Sequence, residues 1–168
     1  MVEIKDGIID DNKKEYFNKN VKIDTASIFE YAIWENGLSK IISVAYLFAP
    51  KFVQIDECIF VHDLIVNNDY EEIDFIDDLR ARFKTKKLIE QYANCVCIGD
   101  MFINDQEYLD DMNLVNMFID CVIYFWTNRL KEVFPKRKFI FERGLDLNGD
   151  LGMCFTFYEN TEPFIDIK

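Results

Sequence analysis

Apolar residues recur along this chain in two rhythms, one with a period near 3.6 residues and one that alternates, and the places where they change predict the elements. Residues 1–24 follow neither. They are polar and rich in lysine and aspartate, with Ile8, Ile9, Tyr16, Phe17, Val21 and Ile23 as the only anchors, and predict a loosely packed N-terminal arm. Ser27, followed three residues later by Glu30, reads as a capping box that opens a helix through Phe29, Ile33 and Trp34, and Gly37 can end it. Ser39 can cap a second helix with Ile42, Ala45, Tyr46 and Ala49 at helical spacing before Pro50 stops it. The two predict a helical hairpin.

Residues 51–61 hold two β-rich runs around the polar pair Asp56-Glu57 and predict a β-hairpin, although no glycine marks the turn. Over 69–83, Ile73, Ile76, Leu79 and Phe83 stand three and four apart, the pattern of an amphipathic helix. Helical spacing continues from Lys86 through Leu88, Ile89, Tyr92, Ala93 and Val96 toward Phe102, with the type of structure open beyond Asn94. Asn104 with Glu107 forms a second capping box. The run 106–134 that follows puts Leu114, Phe118, Val122, Phe125, Trp126 and Leu130 on one broad side before Pro135, and predicts the longest helix. Alternation then sets Phe139 and Phe141 on one face of 138–143, and Met153, Phe155 and Phe157 on one face of 151–158. Asn148-Gly149 between them is a hairpin signal.

Helices that precede and separate two hairpins predict an α+β fold. Its small antiparallel sheet is built from hairpins at about 52–61 and 138–158, and the helix 106–134 lies across it. No repeat, linker or low-complexity stretch breaks the chain, so residues 1–168 read as a single globular domain. Composition adds that this domain folds without cross-links: half the residues are hydrophobic and sixteen are Phe, enough to fill a core. The five cysteines, Cys58, Cys95, Cys97, Cys121 and Cys154, are odd in number and sit mostly inside apolar runs, as reduced thiols of a cytoplasmic protein do. The first residues lack the basic start and apolar run of a secretory signal. The longest apolar stretch of a helix, residues 117–126, is interrupted by Asp120 and is far short of the roughly twenty residues that span a bilayer. A cytoplasmic chain with no membrane partner is expected.

Charge changes the picture of partners. Residues 1–80 carry 17 acids against 8 bases, a net of −9, and residues 81–168 carry 14 against 11, a net of −3. Such a field repels nucleic-acid phosphates and acidic membrane surfaces and speeds encounter with basic proteins. The densest acidic run, Asp69, Glu71, Glu72, Asp74, Asp77 and Asp78, lacks the spacing and central glycine of a calcium loop. Spread over the polar side of the helix 69–83, these six are the candidate partner-binding residues, against the plainer reading of a solvated face.

Catalytic and metal-binding patterns are thin. His62, the one histidine, precedes Asp63 but has no nucleophile motif beside it. Cys95-Val-Cys97 lacks the spacing and the second pair of a zinc site, so no metal is expected. No phosphate-binding loop, dinucleotide fingerprint, nucleophile elbow or kinase signature is present, and no cofactor is implied. Lys131, Lys136, Arg137 and Lys138 form a basic cluster that helix C-terminal charge explains as well as nucleic acid does.

Four segments carry a resemblance. They are Leu47-Phe-Ala-Pro-Lys-Phe-Val-Gln-Ile-Asp-Glu-Cys-Ile-Phe60, Ile89-Glu-Gln-Tyr-Ala-Asn-Cys-Val-Cys-Ile-Gly-Asp-Met-Phe102, Trp126-Thr-Asn-Arg-Leu-Lys-Glu-Val-Phe-Pro135 and Phe155-Thr-Phe-Tyr158. Together they resemble small bacterial proteins of unassigned or immunity-type function associated with polymorphic or contact-dependent toxin systems. Cys95 and Cys97 stand where that group commonly has histidines, so the resemblance implies a fold and a genomic setting and transfers no site residues. The function expected is a non-enzymatic acidic binding protein, an immunity protein that neutralises a basic toxin or effector by direct binding. Two other readings stand beside it. One is an enzyme with an unrecognised site drawing on His62, Asp63 or Glu90; the other is a structural or adaptor subunit that forms a homodimer or larger homo-oligomer.

Overall fold

The computed structural model describes residues 7–21, 28–34, 36–66, 72–102, 111–149 and 152–161. The fold is α+β, with helices α1 (Asp11–Asn20), α2 (Ile28–Trp34), α3 (Leu38–Phe48), α4 (His62–Ile65), α5 (Glu72–Arg82), α6 (Lys86–Ala93), α7 (Ile98–Met101) and α8 (Met112–Val133). The strands are β1 (Phe52–Ile55), β2 (Cys58–Val61), β3 (Val96–Cys97), β4 (Phe139–Leu145) and β5 (Met153–Glu159). The chain divides into two compact units, one of residues Met1–Ala49 and Gln106–Phe125, the other of Pro50–Asp105 and Trp126–Lys168. No described helix is long and apolar enough to cross a membrane.

In the first unit the stretch read as a polar arm holds α1, capped by Asp10, whose side chain accepts from the Lys13 N–H at 2.9 Å. Two long-range polar contacts fasten it. Tyr16 donates its hydroxyl to Asp111 at 2.7 Å, and Lys13 Nζ lies 3.1 Å from Asp120 Oδ2. Asp111 also caps α8, accepting from the N–H groups of Asn113 and Leu114 at 2.9 and 3.2 Å. Ser27, Asn104 and Glu107 lie outside the described residues. At α3 the N-cap is Gly37 rather than Ser39, and no side-chain bond closes it. Phe48 packs on Phe118 and Phe125 with ring centroids 6.4 and 5.0 Å apart, yet α3 has no buried residue.

The second unit holds both sheets. The hairpins do not join into one sheet: β1 and β2 form a two-stranded ribbon, while β3, β5 and β4 form a separate antiparallel sheet in that order. The first turn works without glycine because Asp56 itself takes the left-handed conformation, at φ 50°, which Asp tolerates better than most residues. The second hairpin pairs Phe141 with Phe157 and Leu145 with Met153, so β4 runs on to Leu145, past the predicted end at 143, and β5 begins at Met153 rather than at 151. Its connection, from Asp146 to Gly152, is longer than a two-residue turn. The Asp146 side chain accepts from the Gly152 N–H at 2.8 Å, while Asn148 at φ 56° and Gly149 at φ 90° occupy the left-handed region.

The helix that begins at Lys86 ends at Ala93, and the stretch left open beyond Asn94 forms β3 and then the single turn α7. On α8 the buried line is Val115, Ile119, Val122, Trp126 and Leu130, so Leu114 and Phe118 lie on its flank and Phe125 is exposed. Trp126 stacks edge-on against Phe155 and Phe157 at 5.4 and 6.1 Å. Phe157 also meets Phe52, Phe139 and Phe141, all within 5.9 Å of its ring centre. Phe155 and Phe157 are buried as the alternation predicts, whereas Phe139 and Phe141 are only half-buried because they stand on the outer strand of the sheet.

Candidate binding surface

The acids singled out in the sequence belong to α5 and the residues just before it. The helix is amphipathic as its spacing predicts: Ile76 and Leu79 are fully buried, joining Cys58, Phe60, Ile65, Ile89 and Ala93 in one apolar cluster. Phe75 and Phe83 pack against that cluster. The opposite side of α5 faces solvent. Asp69 and Glu71 lie outside the described residues, as do the side chains of Glu72 and Asp74, so the structure places two of the six candidates, Asp77 and Asp78, and both are exposed.

Neither of those two stands alone. Arg80 reaches Asp77 Oδ1 at 3.3 Å and also pairs with Asp56 from the β1–β2 turn, while Arg82 Nη1 lies 3.8 Å from Asp78 Oδ2. Three carboxylates therefore meet two guanidinium groups, and the field of this patch is weaker than a count of acids suggests. Exposed pairs of this kind contribute little to stability, about 0–1 kcal/mol, so their acids stay open to exchange for a better partner.

Groups that could do chemistry are spent on architecture. Glu90, 0% exposed, accepts from the N–H groups of Ile59 at 2.7 Å and Glu159 at 2.8 Å, one on each carboxylate oxygen. One helical turn on, Asn94 accepts from the Val61 N–H at 3.0 Å and donates to the carbonyls of Ile59 and Phe157 at 2.9 and 3.3 Å. A helix thus completes the open edge of β2 and the end of β5 that the two-residue β3 does not reach, with side chains where strand pairing would otherwise be needed. Lys86, also buried, lies 3.7 Å from Glu90 and pairs with Glu159, which Arg137 meets at 3.0 Å. Arg137 extends on to Gln54 Oε1 and the Glu57 carbonyl at 3.0 and 3.1 Å. One member of the basic cluster is therefore an internal tie of this unit. Burial pushes the Glu90 carboxyl above its ordinary range, and the two N–H donors and Lys86 oppose that only in part.

Of the remaining titratable candidates, His62 begins α4 with Nδ1 3.8 Å from Asp63 Oδ1. Glu90, sealed between two backbone donors, offers no oxygen to a substrate. Cys97 and Cys154 are directly opposed across the β3–β5 ladder, and all five cysteines are free thiols. Among the described residues, no group of three or more His, Cys, Asp or Glu side chains is placed to hold a metal ion. Burial pushes both Cys58 and Cys154 up to about 12, where the reactive thiolate is scarce at neutral pH. Alkylation of the native protein at about pH 8, followed by mass spectrometry, should therefore label half-buried Cys95 well before Cys58 or Cys154. Early labelling of Cys154 would show that its strand opens.

Comparison of the chain with protein-family models, with curated proteins and with solved structures found no match in any of the three.

Proposed function

We propose that this chain is a non-enzymatic binding protein of the immunity type, which neutralises a basic toxin or effector by covering its working surface. The observation that carries this reading is an acidic helix anchored in the core. Ile76 and Leu79 lock α5 into an apolar cluster, and Asp77 and Asp78 project from its other side in a chain of net charge −12. A toxin that acts on nucleic acid needs a basic surface for its anionic substrate, and an acidic protein competes for that surface by charge. The ion pairs to Arg80 and Arg82 suit such a role, because a cationic partner can take over their carboxylates at small cost.

This reading expects a toxin gene beside the present one, and the test uses its product. Co-expression with the present chain should restore growth of the intoxicated host. Association measured by stopped flow should be fast at low salt and fall as salt screens the two surfaces. Neutralising Glu71, Glu72, Asp74 and Asp78 to their amides should slow association by about tenfold at low salt and flatten its salt dependence, with fold stability nearly unchanged. Rates equal to the parent at low salt would remove α5 from the interface. Failure of the two proteins to associate at all would remove the immunity reading.

A further inference from the structure

Reduced cysteines serve as small apolar residues wherever they fall, but two of the five meet each other. Cys97 on β3 stands opposite Cys154 on β5, residue against residue, and the two thiols are in hydrogen-bond contact. The Cys154 thiol also donates to the Gly152 carbonyl at 3.5 Å.

The ladder fixes how they meet. At the two ends of the β4–β5 hairpin the Asn160 N–H donates to the Lys138 carbonyl and the Asp146 N–H to the Gly152 carbonyl. Even-numbered residues of β5 therefore turn their backbone groups toward β4, and odd-numbered ones turn theirs away from it. The Phe157 carbonyl and the Glu159 N–H accordingly meet Asn94 and Glu90. By the same parity Val96–Phe155 is the hydrogen-bonded pair of β3 and β5, which makes Cys97–Cys154 the non-hydrogen-bonded pair beside it. In a pair of that kind the Cα atoms stand about 4.5 Å apart and the side chains are at their closest, within the roughly 4.4–6.8 Å that a disulfide bridges.

The two thiols differ in access. Cys154 is 0% exposed, and burial holds its proton, with the thiol pushed up to about 12, so it is a poor first nucleophile. Cys97, 7% exposed, is the member of the pair toward solvent.

We propose that Cys97 and Cys154 are a redox pair, which a peroxide closes into a disulfide clamping β3 to β5 and a low-molecular-weight thiol reopens. The Cys97 thiolate attacks one oxygen of the peroxide; the O–O bond breaks, an S–O bond forms, and the departing hydroxide takes up the thiol proton as water. Cys154 then attacks the sulfenic sulfur. The S–S bond forms as the S–O bond breaks, and the hydroxyl leaves with the Cys154 proton as a second water. Contact offsets the weak acidity of Cys154, because its attack is intramolecular and starts from the bonded position. Two equivalents of a small thiol reverse the step by exchange, returning both protons and both electrons and leaving as their own disulfide. The clamp closes the chain from residue 97 to residue 154 across a strand of only two residues. It removes conformations from the unfolded chain, so the oxidised protein melts roughly 10 °C higher.

Peroxide treatment of the full reduced chain tests this, followed by alkylation of the remaining thiols in denaturant and digestion without reductant. The expected product is a single chain lighter by two hydrogens, with the peptides of Cys97 and Cys154 joined, and dithiothreitol restores the parent mass and melting point. Cys95→Ser forms the same bridge, and Cys97→Ala forms none. In Cys154→Ala, dimedone captures a sulfenic acid on Cys97. A bridge that persists in Cys97→Ala assigns the chemistry to Cys95 and overturns the pair, as does alkylation of both Cys97 and Cys154 after peroxide has oxidised Cys95. An oxidised chain that melts no higher than the reduced one overturns the clamp. The parent and Cys95→Ser leave position 154 untouched, so they decide the result even where alanine there disturbs the fold.

Discussion

Replacing Glu90 with alanine is expected to cost about 3–5 kcal/mol, the range for removing one partner from a buried charged network. The change takes the acceptor from two strand-edge N–H groups, those of Ile59 and Glu159, and leaves buried Lys86 with one fewer carboxylate. Glu90→Gln keeps the shape but turns an amide NH2 toward one of those donors, and should cost less, about 1–3 kcal/mol for one unsatisfied group. Denaturant unfolding of the two variants checks both values, and a loss below about 1 kcal/mol for the alanine would mean that water replaces the carboxylate freely.

The same residue makes a pH signature with a definite sign. Burial raises the Glu90 carboxyl in the folded chain above its ordinary 4.5, so the folded state holds this proton more tightly than the unfolded one. Its contribution to stability is therefore fully present below 4.5 and is lost as pH rises through the raised folded value. Glu90→Gln lacks that titration. The stability deficit of Glu90→Gln relative to the parent should accordingly shrink as pH rises above 4.5. A deficit that grows with pH would mean that Lys86 and the two N–H donors outweigh desolvation and hold the carboxylate as an anion.

Phe157→Ala should be comparably damaging, at about 3–5 kcal/mol from lost transfer energy and the cavity left behind. Its ring, fully buried on β5, meets Phe52, Trp126, Phe139 and Phe141, so deletion opens a space bounded by four side chains from three elements that cannot all close in. Phe155→Ala, which loses the contact with Trp126, should fall lower in the same range. Thermal or denaturant unfolding decides the ranking, and equal losses would show that the cavity at 157 collapses as readily as the one at 155.

Local chemistry was enough for much of the chain. The amphipathic spacing of Ile76, Leu79 and Phe83 specifies both the existence of α5 and the side it buries, because a 3.6-residue period has one way to lay its apolar stripe on a core. The alternation around Phe155 and Phe157 likewise specifies a strand and its buried face. What it conceals is that β5 is buried on both faces: Cys154, Thr156 and Tyr158 are covered too, and Thr156 donates to the Gln91 carbonyl of α6 at 2.7 Å. Alternation reports contrast between two faces and is silent where both are covered.

Long-range polar contacts decided the rest. Helix α6 ends at Ala93 because Asn94 is engaged by β2 and β5, strands more than thirty residues away in each direction, and no local pattern carries that demand. Glu90 reads in sequence as a candidate catalytic carboxylate and Arg137 as one of a basic cluster, yet one accepts from the backbone of two strands and the other ties three segments together. The exposure of α3 is the opposite case. The spacing of Ile42, Ala45, Tyr46 and Ala49 predicts an apolar stripe, yet no residue of the helix is buried. The sequence by itself determined which residues seek burial and with what period. Which strand edge, charge or second surface answers them is decided by groups distant along the chain, since hydrogen bonds and apolar contacts depend on proximity in space and not on order in sequence.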